Sequence, residues 1–225
     1  MDVPNHIGII VDGNGRWAVS KNKTRSEGHL AGSKNLEKLI LYINDKKINY
    51  LSLYVFSADN FKREKQEVEY LMKLFVNMFK MSMKKYKKLN IKVLFSGRKE
   101  NLADDVIKCM NEMINETKDN TGMVINFCLN YSSQLEIIDA TKKIIADNIK
   151  EIDENIFSKY LYNDLPMIDL LIRTSGEQRL SNFMLWQLAY TELFFVPIYF
   201  PDFKGKDFDK VLNDYFKRNR RFGGS

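Results

Sequence analysis

The sequence predicts an α/β fold: a single domain with a mostly parallel central sheet of about six strands flanked by helices. Three observations predict it. Apolar runs of strand length alternate with longer stretches of helical spacing. Those runs are continuous, not alternating with polar residues, as strands covered on both faces require. The 225 residues contain no Pro/Gly/Ser-rich linker, internal repeat or low-complexity tract, so one domain is expected over residues 1–225.

Taken in order, the first strand is Ile7–Val11, followed by a polar turn at 12–17 and a helix near 28–47. A second strand, Tyr50–Phe56, leads through the polar segment 57–63 into a long helix near 65–89. Strand Ile91–Phe95 and a helix near 101–118 follow, then strand Met123–Leu129 and a helix near 133–149. A short helix near 153–161 precedes strand Ile168–Ile172, the Arg-bearing segment 173–181 and strand Leu193–Val196. The chain closes with a helix near 206–218. In a parallel sheet ligands sit beyond the carboxyl ends of the strands. The segments 12–17, 57–63 and 173–181 each follow a strand directly and are the candidate site.

Composition narrows the chemistry. Two cysteines, Cys109 and Cys128, cannot build a disulfide framework or a zinc site, which points to a reducing cytoplasm. His6 and His29 are the only histidines, which excludes a multi-histidine metal centre. No apolar run approaches the length of a membrane span, and Met-Asp-Val-Pro-Asn-His lacks the features of a secretory signal. The net charge of +6 and pI of about 9.1 favour anionic partners. Of the 35 cations only nine are arginines, and all but Arg98 cluster: Arg16 with Arg25, then Arg63, then Arg173 with Arg179, then Arg218, Arg220 and Arg221. A planar guanidinium grips phosphate bidentately where an ammonium cannot. Nucleic acid is disfavoured, because no recognition-helix, RNP or zinc pattern accompanies the charge.

The turn Asp12-Gly13-Asn14-Gly15-Arg16-Trp17 suits an anion. Its glycines let the backbone approach, and Asp12 at the strand end is a natural ligand for a hard divalent cation. It also reads as an ordinary strand–turn–helix connection. Neither a Walker loop nor GxGxxG is present. Trp17 and Phe61 equally suit a core, and Glu192 a structural ion pair. Leu71, Met72, Phe75, Met78, Phe79 and Met83 give the helix within Val68–Tyr86 a broad apolar face.

Several blocks together resemble the cis-prenyltransferase family of undecaprenyl diphosphate synthases. His6 through Ala18 is similar to its HxxxxMDGNGRWA block, continuing through Arg25, Gly28-His29 and Gly32. The stretch Leu53 through Arg63, with Ser57, Ala58, Asp59, Asn60 and Phe61, resembles LYAFSxENWxRP. Asn126 with Asn130-Tyr131 resembles the family's N-x-x-x-NYGGR. Asp169 through Phe183 resembles DLxIRTxGExRxSNF, and Tyr190 through Leu193, Pro201 through Phe203 and Arg220 through Gly224 complete the likeness. The blocks stand in the family's order over nearly the whole chain.

The resemblance implies a fold that is not a Rossmann fold, an apolar tunnel, a homodimer, and elongation of an allylic diphosphate, farnesyl diphosphate by expectation, with isopentenyl diphosphate and Mg²⁺. The product would be a long-chain cis-polyprenyl diphosphate serving as a cell-wall lipid carrier, bringing a cytoplasmic enzyme into contact with a membrane surface. Gly13, Asn14, Gly15, Arg16 and Arg25 would hold the allylic diphosphate, with Trp17 and His29 beside it. Asp12 would carry Mg²⁺, with Glu192 as a second contact. Arg173, Arg179 and Ser181, with Leu180 between them, would clamp isopentenyl diphosphate. Ser57, Ala58, Asp59, Asn60, Phe61 and Arg63 would lie on a mobile loop between the substrates. An amide is a poor base, so Asn60 is expected to orient the substrate while a diphosphate oxygen takes the proton. Val55 and Ile125 are expected to line the tunnel. Arg221-Phe222-Gly223 would cross to the partner's isopentenyl site.

Departures from the pattern are Asp59 for Glu, Phe61 for Trp, Glu64 for Pro, Ser132-Ser133-Gln134 for GGR, and Gln178 for His. A non-catalytic subunit would be expected to lose the Asp12–Arg16 loop, which is intact. Asp104-Asp105 does not make the DDxxD pair of trans-prenyltransferases.

Overall fold

In the computed structural model, which describes residues 3–218, six strands form where the apolar runs predict them. They are β1 (His6–Ile10), β2 (Tyr50–Ser57), β3 (Lys92–Ser96), β4 (Val124–Tyr131), β5 (Leu170–Arg173) and β6 (Glu192–Phe195). All five pairings are parallel, in the order β3-β4-β2-β1-β5-β6. From β1 the chain builds outward to β2 on one side, and β5 returns to pair with β1 on the other. The carboxyl ends of β1 and β5 therefore flank a crevice, the place where such sheets take ligands.

The helices are α1 (Asn14–Ser20), α2 (Arg25–Asp45), α3 (Lys65–Lys88), α4 (Asp104–Thr117), α5 (Ser133–Ala146), α6 (Glu154–Tyr160) and α7 (Gly205–Phe216). Sequence periodicity misses α1, because seven residues are too few to show a period and the segment reads as a turn. α2 starts three residues before its expected first residue, because Thr24 and Glu27 form a reciprocal capping box at Arg25. Two short 3-10 turns, Ala58–Lys62 and Phe200–Asp202, complete the elements.

Successive residues of a strand face opposite sides, and the two sides differ. One side carries Ile7, Ile9, Leu53, Ile125 and Phe127 against α2, α3, α4 and α7, forming the larger core. Within it Phe56, Phe75, Phe79 and Phe127 pack ring to ring, with centroids 6.0, 6.2 and 5.5 Å apart in succession. On the other side, a smaller apolar cluster around Tyr54, Tyr131 and Phe183 shares the sheet with buried polar groups. His6 Nε2 meets Ser52 Oγ at 2.8 Å, and Asn126 Nδ2 donates to the same oxygen at 3.3 Å. Ser96 Oγ then donates to Asn126 Oδ1 at 2.9 Å. Burial lowers the His6 pKa to about 4, outweighing the Pro166 carbonyl and the nearby charge of Asp169, which raise it.

Candidate active site

The expected site residues meet at the carboxyl edge of the sheet around a cavity of about 650 Å³, lined among others by Asp12, Asn14, Tyr54, Ser57, Asn60, Arg63, Arg173, Arg179 and Ser181. A second hollow of about 280 Å³ adjoins it, lined by residues 11–16 with Arg25, His29 and Arg63. Asp12 lines both. Its backbone is fixed by Thr174, whose hydroxyl donates to the Asp12 carbonyl (2.7 Å) and accepts from the Asp12 N–H (3.0 Å). Its Oδ2 accepts from Arg173 Nη2 at 2.9 Å, and Oδ1 lies 3.2 Å from Arg16 Nη2. Partial burial pushes the Asp12 carboxyl up, but Arg173 and Arg16 outweigh it and hold the pKa below its ordinary value. Asp12 is therefore an anion among cations at neutral pH.

Arg173 ends β5 and is 4% exposed. Its Nη1 donates to Ser181 Oγ at 2.8 Å and to the carbonyl of Arg179, while its Nε is buried with no partner. Between β5 and β6 the crossover has no regular helix. Ser175, Gly176, Ser181, Asn182 and Met184 all take positive φ, and these turns fold Arg179 and Ser181 back over Arg173. Glu177 bridges the arginines, binding Arg16 at 2.5 Å and also Arg179. Its hydrogen bonds to Arg16 and Arg179 hold its pKa low.

The other cationic group rests on helices. Arg25 and His29 lie one turn apart on α2, and Arg63 and Glu67 straddle the start of α3. All three cationic or cation-forming side chains converge on Glu67: Arg25 at 2.9 Å, Arg63 at 2.9 Å and His29 Nε2 at 3.0 Å. Burial opposes the Glu67 charge, but Arg25, His29 and Arg63 overcome it and lower the pKa. Burial also lowers the His29 pKa, with Glu67 only partly restoring it. His29 is thus a neutral imidazole donating from Nε2 to an ionised carboxylate. Glycine brings α1 onto α2: a Cβ on Gly28 would lie 2.2 Å from the Asn14 carbonyl oxygen, and one on Gly32 2.3 Å from Asn14 Oδ1.

The segment expected to be a mobile loop forms the 3-10 turn Ala58–Lys62, closed by Asn60 Oδ1 accepting from the Ser57 N–H at 3.1 Å. Asn60 also lines the cavity. Phe61 packs edge-on against Phe56 at 5.0 Å, Asp59 pairs with Lys62 at 2.6 Å on the surface, and Ala58 is half-buried. Leu180 packs on the smaller core. Trp17 is half-buried, with its indole N–H unpartnered. Glu192 does not join Asp12 within this chain: it opens β6, opposite Leu170 and three residues below the carboxyl edge, and pairs with Arg218 at 2.6 Å. Gly223 and the other tail residues beyond Arg218 lie outside the described residues. The departures at 132–134 tie the crossover down: Ser132 Oγ accepts from Asn182 Nδ2 (2.7 Å), Ser133 Oγ from the Leu185 N–H (2.9 Å), and the Gln134 N–H donates to Asn182 Oδ1 (3.0 Å).

Sequence reasoning missed Glu67 and Glu177 as meeting points of the arginines. The spacing Arg63-x-x-x-Glu67 was a signal for the first; none existed for the second. The apolar space continuing from the cavity, between Val55, Leu71, Leu74 and Met78, measures about 40 Å³, room for little more than one water.

A family model described as a putative undecaprenyl diphosphate synthase matches residues 10–223. The chain belongs to that family. An isoprenyl transferase of Fusobacterium nucleatum is 46% identical over 99% of this chain and 97% of that protein. A farnesyl-diphosphate-specific ditrans,polycis-undecaprenyl-diphosphate synthase of Buchnera aphidicola is 43% identical over 97% of this chain and 91% of its own length. Among solved structures, lavandulyl diphosphate synthase of Lavandula x intermedia, in complex with dimethylallyl diphosphate, superposes with a TM-score of 0.93. It is 35% identical, with 98% of each chain covered. The protein is a cis-prenyltransferase of the undecaprenyl diphosphate synthase type. Among the described residues no helix is long and apolar enough to cross a membrane.

Proposed function

We propose that this cis-prenyltransferase primes on farnesyl diphosphate and adds isopentenyl diphosphate units in a Mg²⁺-dependent reaction, giving a long polyprenyl diphosphate of the undecaprenyl kind. The observation that carries the reading is Asp12, held ionised between Arg16 and Arg173 and lining both hollows. The allylic diphosphate belongs in the hollow of Gly13, Gly15, Arg16, Arg25 and Arg63. Isopentenyl diphosphate belongs against Arg173, Arg179 and Ser181, where the unpartnered Arg173 Nε is a donor left for an anion.

The donor set suits a cation that arrives with substrate. Mg²⁺ is commonly held by one or two carboxylates plus substrate phosphates, and Asp12 supplies one. Among the described residues no cluster of three such ligands exists for a resident metal. When bound, the cation would offset negative charge developing on the departing diphosphate. The arginines do the same from the protein side, in fixed positions. Asn60, with its carbonyl occupied by Ser57, donates from its NH₂ to orient substrate, and a diphosphate oxygen takes the proton lost as the new double bond forms. Val55, Phe56 and Leu71 keep water from the allylic cation. A homodimer and a product-linked contact with a membrane surface complete the reading, the second supported by the net charge of +6 and the insolubility of so apolar a product.

The test is incubation with farnesyl diphosphate, labelled isopentenyl diphosphate and Mg²⁺, followed by chromatography. A ladder ending in long products is expected from the wild type and none from Asp12→Ala. Absence of incorporation by the wild type, or Asp12→Ala turnover within about tenfold of it, would overturn the assignment.

A further inference from the structure

Charge is spread unevenly along this chain. Residues 70–99 hold nine cations and no carboxylate, against a net charge of +6 for the whole protein, so the other 195 residues together carry −3. Most of that segment is α3. Lys73, Lys80, Lys84 and Lys88 are all exposed. At 3.6 residues per turn they fall within about 80° of arc, along about 22 Å of helix. Among the described residues none of the four has an ion pair, whereas Lys85 meets Glu37 at 2.9 Å and Lys87 meets Glu116 at 2.7 Å. Met81, 76% exposed, stands beside this stripe, and α2 adds the exposed Leu30 and Lys34 across a surface hollow shared with Lys80 and Met81.

Lysines in the last turn of a helix commonly offset the macrodipole. That accounts for Lys85, Lys87 and Lys88. It does not account for Lys73, Lys80 and Lys84, which lie earlier, nor for thirty residues without a carboxylate. Such an excess of unpaired charge draws an anionic partner. A nucleic-acid face would offer arginine and stacking aromatics. The one arginine of the segment, Arg98, is taken by Asp139, and the exposed apolar side chain beside the stripe is a methionine. Lysine suits a bilayer better: its stem lies along apolar surface while the ammonium stays among the headgroups, and each lysine near an anionic leaflet adds to the attraction.

We propose that the lysine stripe of α3, with Met81 at its edge, docks the enzyme on a bilayer surface rich in anionic lipid. This rests on the reading of the protein as the maker of a membrane lipid, and it gives the membrane contact a face. The contact is electrostatic first, so salt weakens it. It is shallow, since a single helix face with few apolar side chains lies on the headgroups and does not span them.

Sedimentation of the full chain with vesicles measures the contact without any substrate. Vesicles of phosphatidylglycerol mixed with phosphatidylcholine should bind it, and phosphatidylcholine alone should not. The triple variant Lys73→Gln, Lys80→Gln, Lys84→Gln should lose about 100-fold in binding. The triple Lys142→Gln, Lys150→Gln, Lys159→Gln removes equal charge from exposed sites on or beside α5 and α6, and should bind nearly as well as the wild type. Equal losses in the two triples, or equal binding to neutral vesicles, would overturn the proposal. Should the first triple fail to fold, an environment-sensitive fluorophore on Met81→Cys decides: a blue shift on anionic vesicles is expected, and a vesicle-bound chain without it docks by another face. Capture of a single-stranded oligonucleotide with no vesicle binding would give the stripe to nucleic acid and sink the proposal as well. Vesicle binding by a chain that adds no isopentenyl unit would defeat the elongation reading while upholding the face. Product ladders from a chain that ignores anionic vesicles would do the reverse.

Discussion

The two cationic groups at the site handle the same kind of anion on different scaffolds. Arg25 and His29 stand one turn apart at the start of α2, Arg63 stands just before α3, and the three share a single carboxylate, Glu67. Arg173 and Arg179 stand on a crossover of left-handed turns, and with Arg16 they share Asp12 and Glu177. Arg25 of the first group is largely exposed, its side chain 58% open to solvent. The second is held through its crossover, where Asn182 and the Leu185 N–H donate to Ser132 and Ser133, and one of its arginines, Arg173, is buried. The comparison teaches that a helical scaffold fixes spacing cheaply, whereas a buried, loop-borne arginine needs every surrounding donor and acceptor matched.

The largest effect should come from Asp12, which lines the hollows of both groups. Asp12→Asn keeps the shape and removes the charge, and turnover should fall by about 100-fold or more. Retention of near-normal turnover, measured with saturating substrates, would show that the two groups work independently.

Next comes the asymmetry within the loop-borne group. Arg173→Lys loses a buried fork and should raise the KM for isopentenyl diphosphate by about tenfold or more, from about 1.5–3 kcal/mol per charged hydrogen bond. Arg179, with a side chain 61% exposed, should lose less on the same change. Neither should move the allylic KM as far. Equal shifts for both substrates would erase the distinction between the groups.

Glu67→Gln probes the helical group alone. It should raise the allylic KM several-fold with little change for isopentenyl diphosphate. Loss of the carboxylate removes the influence that raises the His29 pKa, so that pKa should drop further. An NMR titration of the imidazole reads this directly, and an upward shift would contradict the assigned contact.

The smallest effect on catalysis, though not on stability, concerns His6, remote from both groups. Its folded pKa of about 4 lies below the ordinary 6.5. The unfolded chain therefore takes the proton first, and stability falls as pH drops from 6.5 toward 4, by on the order of 3 kcal/mol. Asp12 and Glu67 have lowered pKa values and keep their charges over most of that window. Denaturant midpoints should decline with acid in the wild type and less so in His6→Gln. Parallel declines would place the acid lability elsewhere.

The sequence by itself determined the six strands, their parallel sheet and the segments bearing the arginines, because burial on both faces and helical spacing are local patterns written in consecutive residues. The blocks around Asp12, Asn60 and Arg173 likewise identified the chemistry. The meetings between segments were left to the tertiary structure. Arg25 reaches Glu67 across 42 positions and Arg173 reaches Asp12 across 161. No local pattern encodes such pairings, since they depend on which strand ends lie side by side. The same holds for Glu192, read beside Asp12 from its block but set by strand register at the start of β6 against Arg218. It holds too for the expected tunnel. Apolar spacing on α3 showed that Phe75 and Phe79 face inward, but whether rings meet or leave a gap is decided by packing against Phe127 on another strand.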